Sequence, residues 1–451
     1  MPDGRSPPSG REQGGDMGIR GRLLLGLLAG LAAGQVQATG YFLNGAGASA
    51  RGMAGAGVAL AEDAMSIANN PAAAVGLSGR QWQIGSIFLH PRPKVIVGEQ
   101  PQEAPPPGAI PLRPGIYSSR PEVATQAGGT FAIPFGAISW RLNERWAVGL
   151  SVYGNGGLNS TFRANAPNPN CGPGTRGEGL LCGGTLSSDI GQTFISPTVA
   201  WQPLSWLRLG LAPQIVWQSL EIQGFELLAG QSNDPDNFTN NGHDHALGYA
   251  LMGGLQINIL DKVQFGLVAQ TKTEMDEFDD YAGLLPEQGK LDIAPYFQAG
   301  LAWDVSSRLT FAVDFQRIYF GSVSATGNDV VTGEPYGADN GPGFGWGDTK
   351  TWKFGFRYRA NDDWTFRGGY ADGRSQIESD EVFYNLVSGS ILADRFDIGV
   401  TRRVGEKTYL DATLGYFPDQ QLTGPNATLP EQEITLSLGG VAVDLGIGRR
   451  F

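Results

Sequence analysis

Charge is scarce in this sequence. Asp, Glu, Lys and Arg make up only 17% of its 451 residues, against about a quarter in ordinary soluble domains. The formal net charge is −12, and a negative chain without a basic stripe excludes a protein that tracks nucleic-acid phosphates. Histidine is scarcer still, with His90, His243 and His245 alone. No serine is set beside any of them by the sequence. No Gly-x-Ser-x-Gly elbow, phosphate-binding loop or zinc signature occurs either. The chain therefore reads as a non-enzyme without a cofactor or metal. His243-Asp244-His245 reads as a solvent-facing loop run, and residues 233–237 lack the spacing and terminal glutamate of an EF-hand loop. Long apolar runs are missing too, with one exception at the N-terminus.

That exception is LLLGLLAGLAA, residues 23–33. A bilayer-spanning helix needs about 20 apolar residues, so this run is too short to be one. Arg20 and Arg22 precede it, and Val36-Gln37-Ala38 follows with small or compact residues at the cleavage positions. The pattern is that of a secretory signal peptide over residues 1–38, with Met17 an alternative start and the mature chain beginning at Thr39. Export bears on the two cysteines, Cys171 and Cys182, in CGPGTRGEGLLC. In an oxidising compartment they are expected to pair and staple a Gly-rich loop.

What the sequence has in plenty is glycine, 67 residues, and alternation. Leu247, Tyr249, Leu251, Leu255 and Ile257 share one parity; the other holds Gly248, Ala250, Gly254, Gln256 and Asn258. Trp352, Phe354, Phe356 and Tyr358 repeat the pattern against Lys353, Gly355 and Arg357. Such period-two runs are strands with one face in an apolar medium. Fourteen segments qualify: 80–90, 128–142, 145–154, 189–202, 206–221, 246–258, 263–275, 291–303, 308–320, 349–359, 364–373, 391–403, 407–417 and 434–451. Their connections alternate, six short and seven long, with the long ones at 91–127, 155–188, 222–245, 276–290, 321–348, 374–390 and 418–433.

An even strand number with alternating short and long connections predicts an all-β fold, an antiparallel transmembrane β-barrel of the bacterial outer membrane. Lipid cannot satisfy an open sheet edge, so the sheet must close. Trp82, Trp146, Trp201, Trp206, Trp303 and Trp364 fall at or beside strand ends, where an interfacial girdle belongs. The chain ends on Phe451, which resembles the terminal signal that outer-membrane proteins present to their assembly machinery. The expected surroundings are outer-membrane lipid and lipopolysaccharide, and the expected state is a monomer.

A fourteen-stranded barrel is too wide for its own side chains to fill. Residues 39–78 are rich in small residues, lack alternation and carry helix signals, so they are the natural plug, with the barrel over 79–451. This stretch, TGYFLNGAGASARGMAGAGVALAEDAMSIANNPAAAVGL, resembles the N-terminal hatch of the FadL/TodX family. Those proteins are outer-membrane transporters of long-chain fatty acids and aromatic hydrocarbons. The likeness rests on Gly40-Tyr41, the Gly/Ala-rich residues 51–60, Asp63-Ala64 and Asn70-Pro71-Ala72. WGDTKTWKFGFRYRANDDWTFRGGYADG, residues 346–373, resembles a second family stretch. The resemblance implies passive uptake of a hydrophobic small molecule, which binds in the lumen and leaves sideways through a gap where the third strand kinks inward. A general diffusion porin and a ligand-binding surface adhesin are the alternatives.

Several residues follow from these readings. Asn70 can cap a helix with Pro71 at its first position, and the resemblance makes Asn70, Pro71 and Ala72 a hatch or gate. Gly154, Asn155, Gly156 and Gly157 break the alternation of the third strand; the residues alone allow a kink or a terminal turn, and the resemblance implies the kink. Lys353, Arg357 and Arg367 have inward parity beside Asp314 and can pair a ligand carboxylate, or simply pair within a solvated interior. Phe162, Phe225, Leu227 and Leu228 are apolar loop residues that can form a docking groove or the packed core of large loops.

Overall fold

A computed structural model describes residues 42–98, 122–125, 129–163, 171, 174–179, 181–373, 375–388, 391, 394–427 and 429–451. The expected signal peptide and Gly40-Tyr41 lie outside them. Fourteen long strands form the wall: β1 Arg80–Pro91, β2 Phe131–Arg141, β3 Trp146–Phe162, β4 Leu186–Leu204, β5 Leu207–Gln223, β6 Asp244–Leu260 and β7 Val263–Gln270 make the first half. The second half is β8 Tyr296–Asp304, β9 Leu309–Ile318, β10 Thr349–Arg359, β11 Trp364–Asp372, β12 Arg395–Val404, β13 Thr408–Asn426 and β14 Leu429–Arg450. Each pairs antiparallel with its neighbours, and β14 returns to β1 from Gln81↔Arg450 to Pro91↔Gly440, which closes the sheet.

The short connections are built by turn chemistry. Asn143 Oδ1 accepts from the Arg145 and Trp146 amides at 2.8 and 3.0 Å, and Asn361 Oδ1 accepts from Asp363 and Trp364 at 2.9 Å each. A side-chain carbonyl two residues back thereby imitates a backbone turn. The outward face is apolar and exposed, as at Ile84, Ile138, Leu211, Phe354 and Ile447. Trp146 and Trp201 stack across β3 and β4 at 5.7 Å, near the short turns. Arg449 reaches over the Phe451 ring at 5.2 Å, an exposed cation on a mainly apolar face.

The strands overrun the alternating segments on the long-loop side. The 418–433 connection is mostly a hairpin, because β13 runs to Asn426 and β14 starts at Leu429. Within the 91–127 connection, Lys94–Val97 pairs with Ile434 to Ser437 of β14 and with Glu122–Thr125. Above the hydrocarbon a strand needs only its ladder, so no apolar face marks it in the sequence. Conversely, β7 stops at Gln270, and its ladder with β6 resumes only at Glu274–Met275, which pairs with Tyr249 and Gly248.

Residues 42–78 fill the lumen. They form two single-turn helices, α1 Ala48–Arg51 and α2 Ser66–Asn69, and a 3-10 helix, Pro71–Gly76. Most of this segment is buried, including Met53, Ala59, Met65, Ile67 and residues 72–75.

Candidate functional site

The plug is seated by contacts that need both its sequence and the wall's. Asn70 caps the 3-10 helix, accepting from the Ala72 amide at 3.0 Å. Its Nδ2 donates to the carbonyls of Val58, Leu255 and Leu267 at 2.9, 3.2 and 3.4 Å. One amide thus ties the helix to the plug and to β6 and β7. The wall yields space in return. A Cβ on Gly254 would lie 2.0 Å from Asn70 Oδ1, and one on Gly210 would lie 2.2 Å from the Ala72 nitrogen. Only glycine permits that approach, to plug side chains at Gly254 and to plug backbone at Gly210.

On the opposite side the contacts are ionic. Glu62 of the plug accepts from Arg357 at 2.6 Å and from Arg367 at 2.7 Å. Burial alone would raise the Glu62 carboxyl, but Arg367 and Arg357 outweigh it and hold it down at about 2. Burial pushes the adjacent Asp63 carboxyl up. Asp314 on β9 accepts from the Gly57 and Val58 amides at 2.9 Å each and from Gln298 at 2.7 Å. Arg51 forms a buried ion pair with Asp444 of β14.

Among the described residues, the ladder between β2 and β3 ends well short of the ends of both strands. Pairing between β2 and β3 stops at Phe135↔Tyr153. Beyond it, residues 131–134 of β2 remain paired with β1, and residues 154–162 of β3 remain paired with β4. No ladder joins these two edges among the described residues. Two sequence features coincide with the break. Pro134 is the first β2 position past the last rung and has no amide hydrogen to donate. On β3, Gly154 pairs with Thr193 and Gly156 with Gln192, so Asn155 is bulged out of register. The plug meets this bulge directly: Phe42 bridges to Gly156, and the Leu43 amide donates to the Asn155 carbonyl at 3.3 Å. A Cβ on Gly154 would sit 2.5 Å from Ile133 Cγ2, so a side chain fits there only where Ile133 is cut back as well.

Behind the break lies an aromatic cluster. Phe42 packs edge-on against Tyr296 and Phe320, at 5.9 and 5.8 Å. Tyr153 stacks on Phe194 at 5.6 Å. The cavity lined by Leu43, Met53, Tyr153, Asn155, Tyr296 and Lys353 holds about 50 Å³. Ligand pockets are typically about 300–1,000 Å³, so Phe42, Leu43 and their neighbours occupy most of the space.

The residues singled out in the sequence fall into separate places. Asn70, Pro71 and Ala72 approach most tightly at Gly210 and Gly254, whereas the bulge at residues 154–157 is met by Phe42 and Leu43. Arg357 and Arg367 are engaged by Glu62; Lys353 donates to Gln298 at 3.1 Å and lines the small cavity. Phe162 is buried, Phe225 stacks on Phe238 at 5.8 Å, Leu228 is buried and Leu227 is half-buried against it. These four pack in the loop core. Cys171 and Cys182 are joined in a disulfide, and Arg176 of the same loop pairs with Glu226. Glu62, Pro134 and Phe42 escaped the sequence reading. A carboxylate inside a small-residue plug and a proline inside an alternating strand were the available signals.

The family model of outer membrane protein transport proteins, OMPP1/FadL/TodX, matches residues 29–423. Among solved structures, the Pseudomonas putida toluene transporter TodX is similar with a TM-score of 0.66 at 16% identity, covering 91% of this chain and 99% of that one. The Ralstonia pickettii toluene transporter TbuX gives 0.61 at 18% identity, over 91% and 99%. A Pseudomonas aeruginosa FadL homologue gives 0.63 at 18% identity, again over 91% and 99%. A search of curated proteins by sequence found no match.

Proposed function

This chain belongs to the OMPP1/FadL/TodX family of outer membrane transport proteins, and from that premise we propose that it takes up hydrophobic small molecules by lateral release through the wall. The family's members are transport channels rather than enzymes. The ligand class is a long-chain fatty acid or an aromatic or aliphatic hydrocarbon. One observation carries the reading. The β2–β3 ladder stops at Phe135↔Tyr153, beside a plugged lumen and an aromatic cluster. A filled lumen disfavours straight passage of water and ions. An apolar solute leaving between Ile133 and the Asn155 bulge would enter lipid without recrossing water. Each Å² of apolar surface kept from water is worth about 25 cal/mol, so partition supplies the driving force. Phe42 and Leu43 must give way for a ligand to fill the site, and Asn70-Pro71-Ala72 holds the rest of the plug in place as they do.

Cross-linking the two edges tests this. In the full chain, Ile133→Cys with Gly154→Cys would place the two sulfurs across the break. The oxidised pair is expected to abolish uptake of labelled fatty acid and toluene by cells, with recovery on reduction; wild type carried through the same redox steps is the control. Undiminished uptake by the cross-linked protein, or porin-like conductance of wild type in planar bilayers, would sink the lateral reading.

A further inference from the structure

The short-turn end of the barrel carries a feature that the transport reading leaves unused. A cavity of about 640 Å³ opens beneath the plug, bounded by residues 61–62 and 76–78 and by the turn-proximal ends of β10 to β14. Its size lies within the range of small-ligand sites, about 300–1,000 Å³. Seven Arg and Lys side chains line it against four Asp and Glu, in a chain whose net charge is −12. The concentration of cations here therefore runs against the composition of the whole.

These cations are not all accounted for. Arg357 and Arg367 face each other across β10 and β11 and share Glu62. Buried Arg357 still has its Nε without a partner. Arg403 pairs loosely with Asp363 at 3.5 Å, and Arg450 donates to the Glu62 carbonyl at 2.9 Å. Arg308, Arg359 and Lys407 make no side-chain hydrogen bond or ion pair with the described residues. Like charges set around one concavity repel, and low-dielectric walls focus their field into it. Guanidinium forks fit carboxylate and phosphate oxygens two at a time.

We propose that this cavity is a binding site for a small polyanion carrying two or more carboxylate or phosphate groups. A single anion leaves part of the cation set unmatched. The short-turn side of an outer-membrane barrel faces the periplasm, so the ligand arrives from the side opposite the long loops. It is distinct from the apolar solute by both chemistry and route, and the proposal does not depend on lateral release.

Titration calorimetry on the detergent-solubilised full chain tests it, with citrate, pyrophosphate and acetate at matched ionic strength. Citrate and pyrophosphate separate the carboxylate from the phosphate source. At least one is expected to bind saturably and at least tenfold more tightly than acetate. Arg308→Gln with Arg359→Gln should weaken it at least tenfold, whereas Arg176→Gln in an outer loop should leave it unchanged. Absence of saturable binding by both polyanions overturns the proposal, as does an unchanged affinity in the double variant. If that variant does not give a folded barrel, Lys407→Gln serves instead: a threefold or greater loss supports the site and an unchanged affinity overturns it.

Discussion

The plug is held differently on its two sides. Against β5 to β7 it is seated by shape and neutral hydrogen bonds: Gly210 and Gly254 clear space for residues 70–72, and Asn70 and Gln256 donate to main-chain carbonyls. Against β9 to β14 glycine clearance recurs, a Cβ on Gly369 falling 2.2 Å from the Met53 carbonyl carbon, and charge is added to it, by Glu62 with Arg357 and Arg367, by Asp314 with two amides, and by Arg51 with Asp444. A glycine cleft works by exclusion, since any side chain spoils it. A buried ion pair works by mutual need, since removing either member strands the other in low dielectric. The two sides should therefore fail in different ways.

The largest expected effect is on the ionic side. Glu62→Gln leaves two buried guanidinium groups without their carboxylate, at a cost of about 3–5 kcal/mol, read as a drop in thermal unfolding midpoint of the detergent-solubilised barrel. The same substitution has a pH signature. Glu62 ordinarily titrates near 4.5 and in the fold near 2, so its contribution is complete above pH 4.5 and is lost as pH falls toward 2. The stability gap between wild type and variant should close over that window. A gap that stays constant would mean the carboxylate's charge is not what holds this side.

The neutral side should respond to added volume. Gly254→Val drives a side chain into Asn70 and Pro71 and should cost about 1–3 kcal/mol by overpacking, with ion conductance appearing as the plug is displaced. Its neighbour is the control: a Cβ on Gly253 meets nothing within 4 Å, so Gly253→Val should leave both readouts unchanged. Equal effects at the two positions would remove the shape argument. Smaller again is Asn70→Ala, which drops the cap and the donor to three carbonyls for about 1–2 kcal/mol. Should it exceed Glu62→Gln in a side-by-side melt, the ordering of the two sides is reversed.

Much of the architecture was legible because membrane physics leaves few options. Alternation in runs such as residues 247–257 marks a strand with lipid on one face, and short connections such as 143–144 mark one end of the barrel. Where strands leave the lipid, that signal disappears, which is why residues 418–426 read as loop though they extend β13. At the site, the break in alternation at residues 154–157 was visible as glycine. Its form, one bulged residue within a strand that continues to Phe162, was not, because the same four residues also suit a turn. Lys353, Arg357 and Arg367 were legible as inward cations by parity. That Glu62 takes two of them depends on a contact spanning some 300 positions of chain.

Local chemistry thus decides the repeating features of this chain: the strands, the lipid-facing side, the helix cap at Asn70 and the short turns all rest on residues within a few positions of one another. Closure of the barrel brings together what is far apart. It makes the glycines at 210 and 254 into a seat, sets Glu62 between two arginines, and leaves β2 and β3 unpaired beyond Tyr153. Such contacts have no periodicity to betray them, because their energies come from exclusion of volume and from low dielectric, and both exist only once the interior is formed.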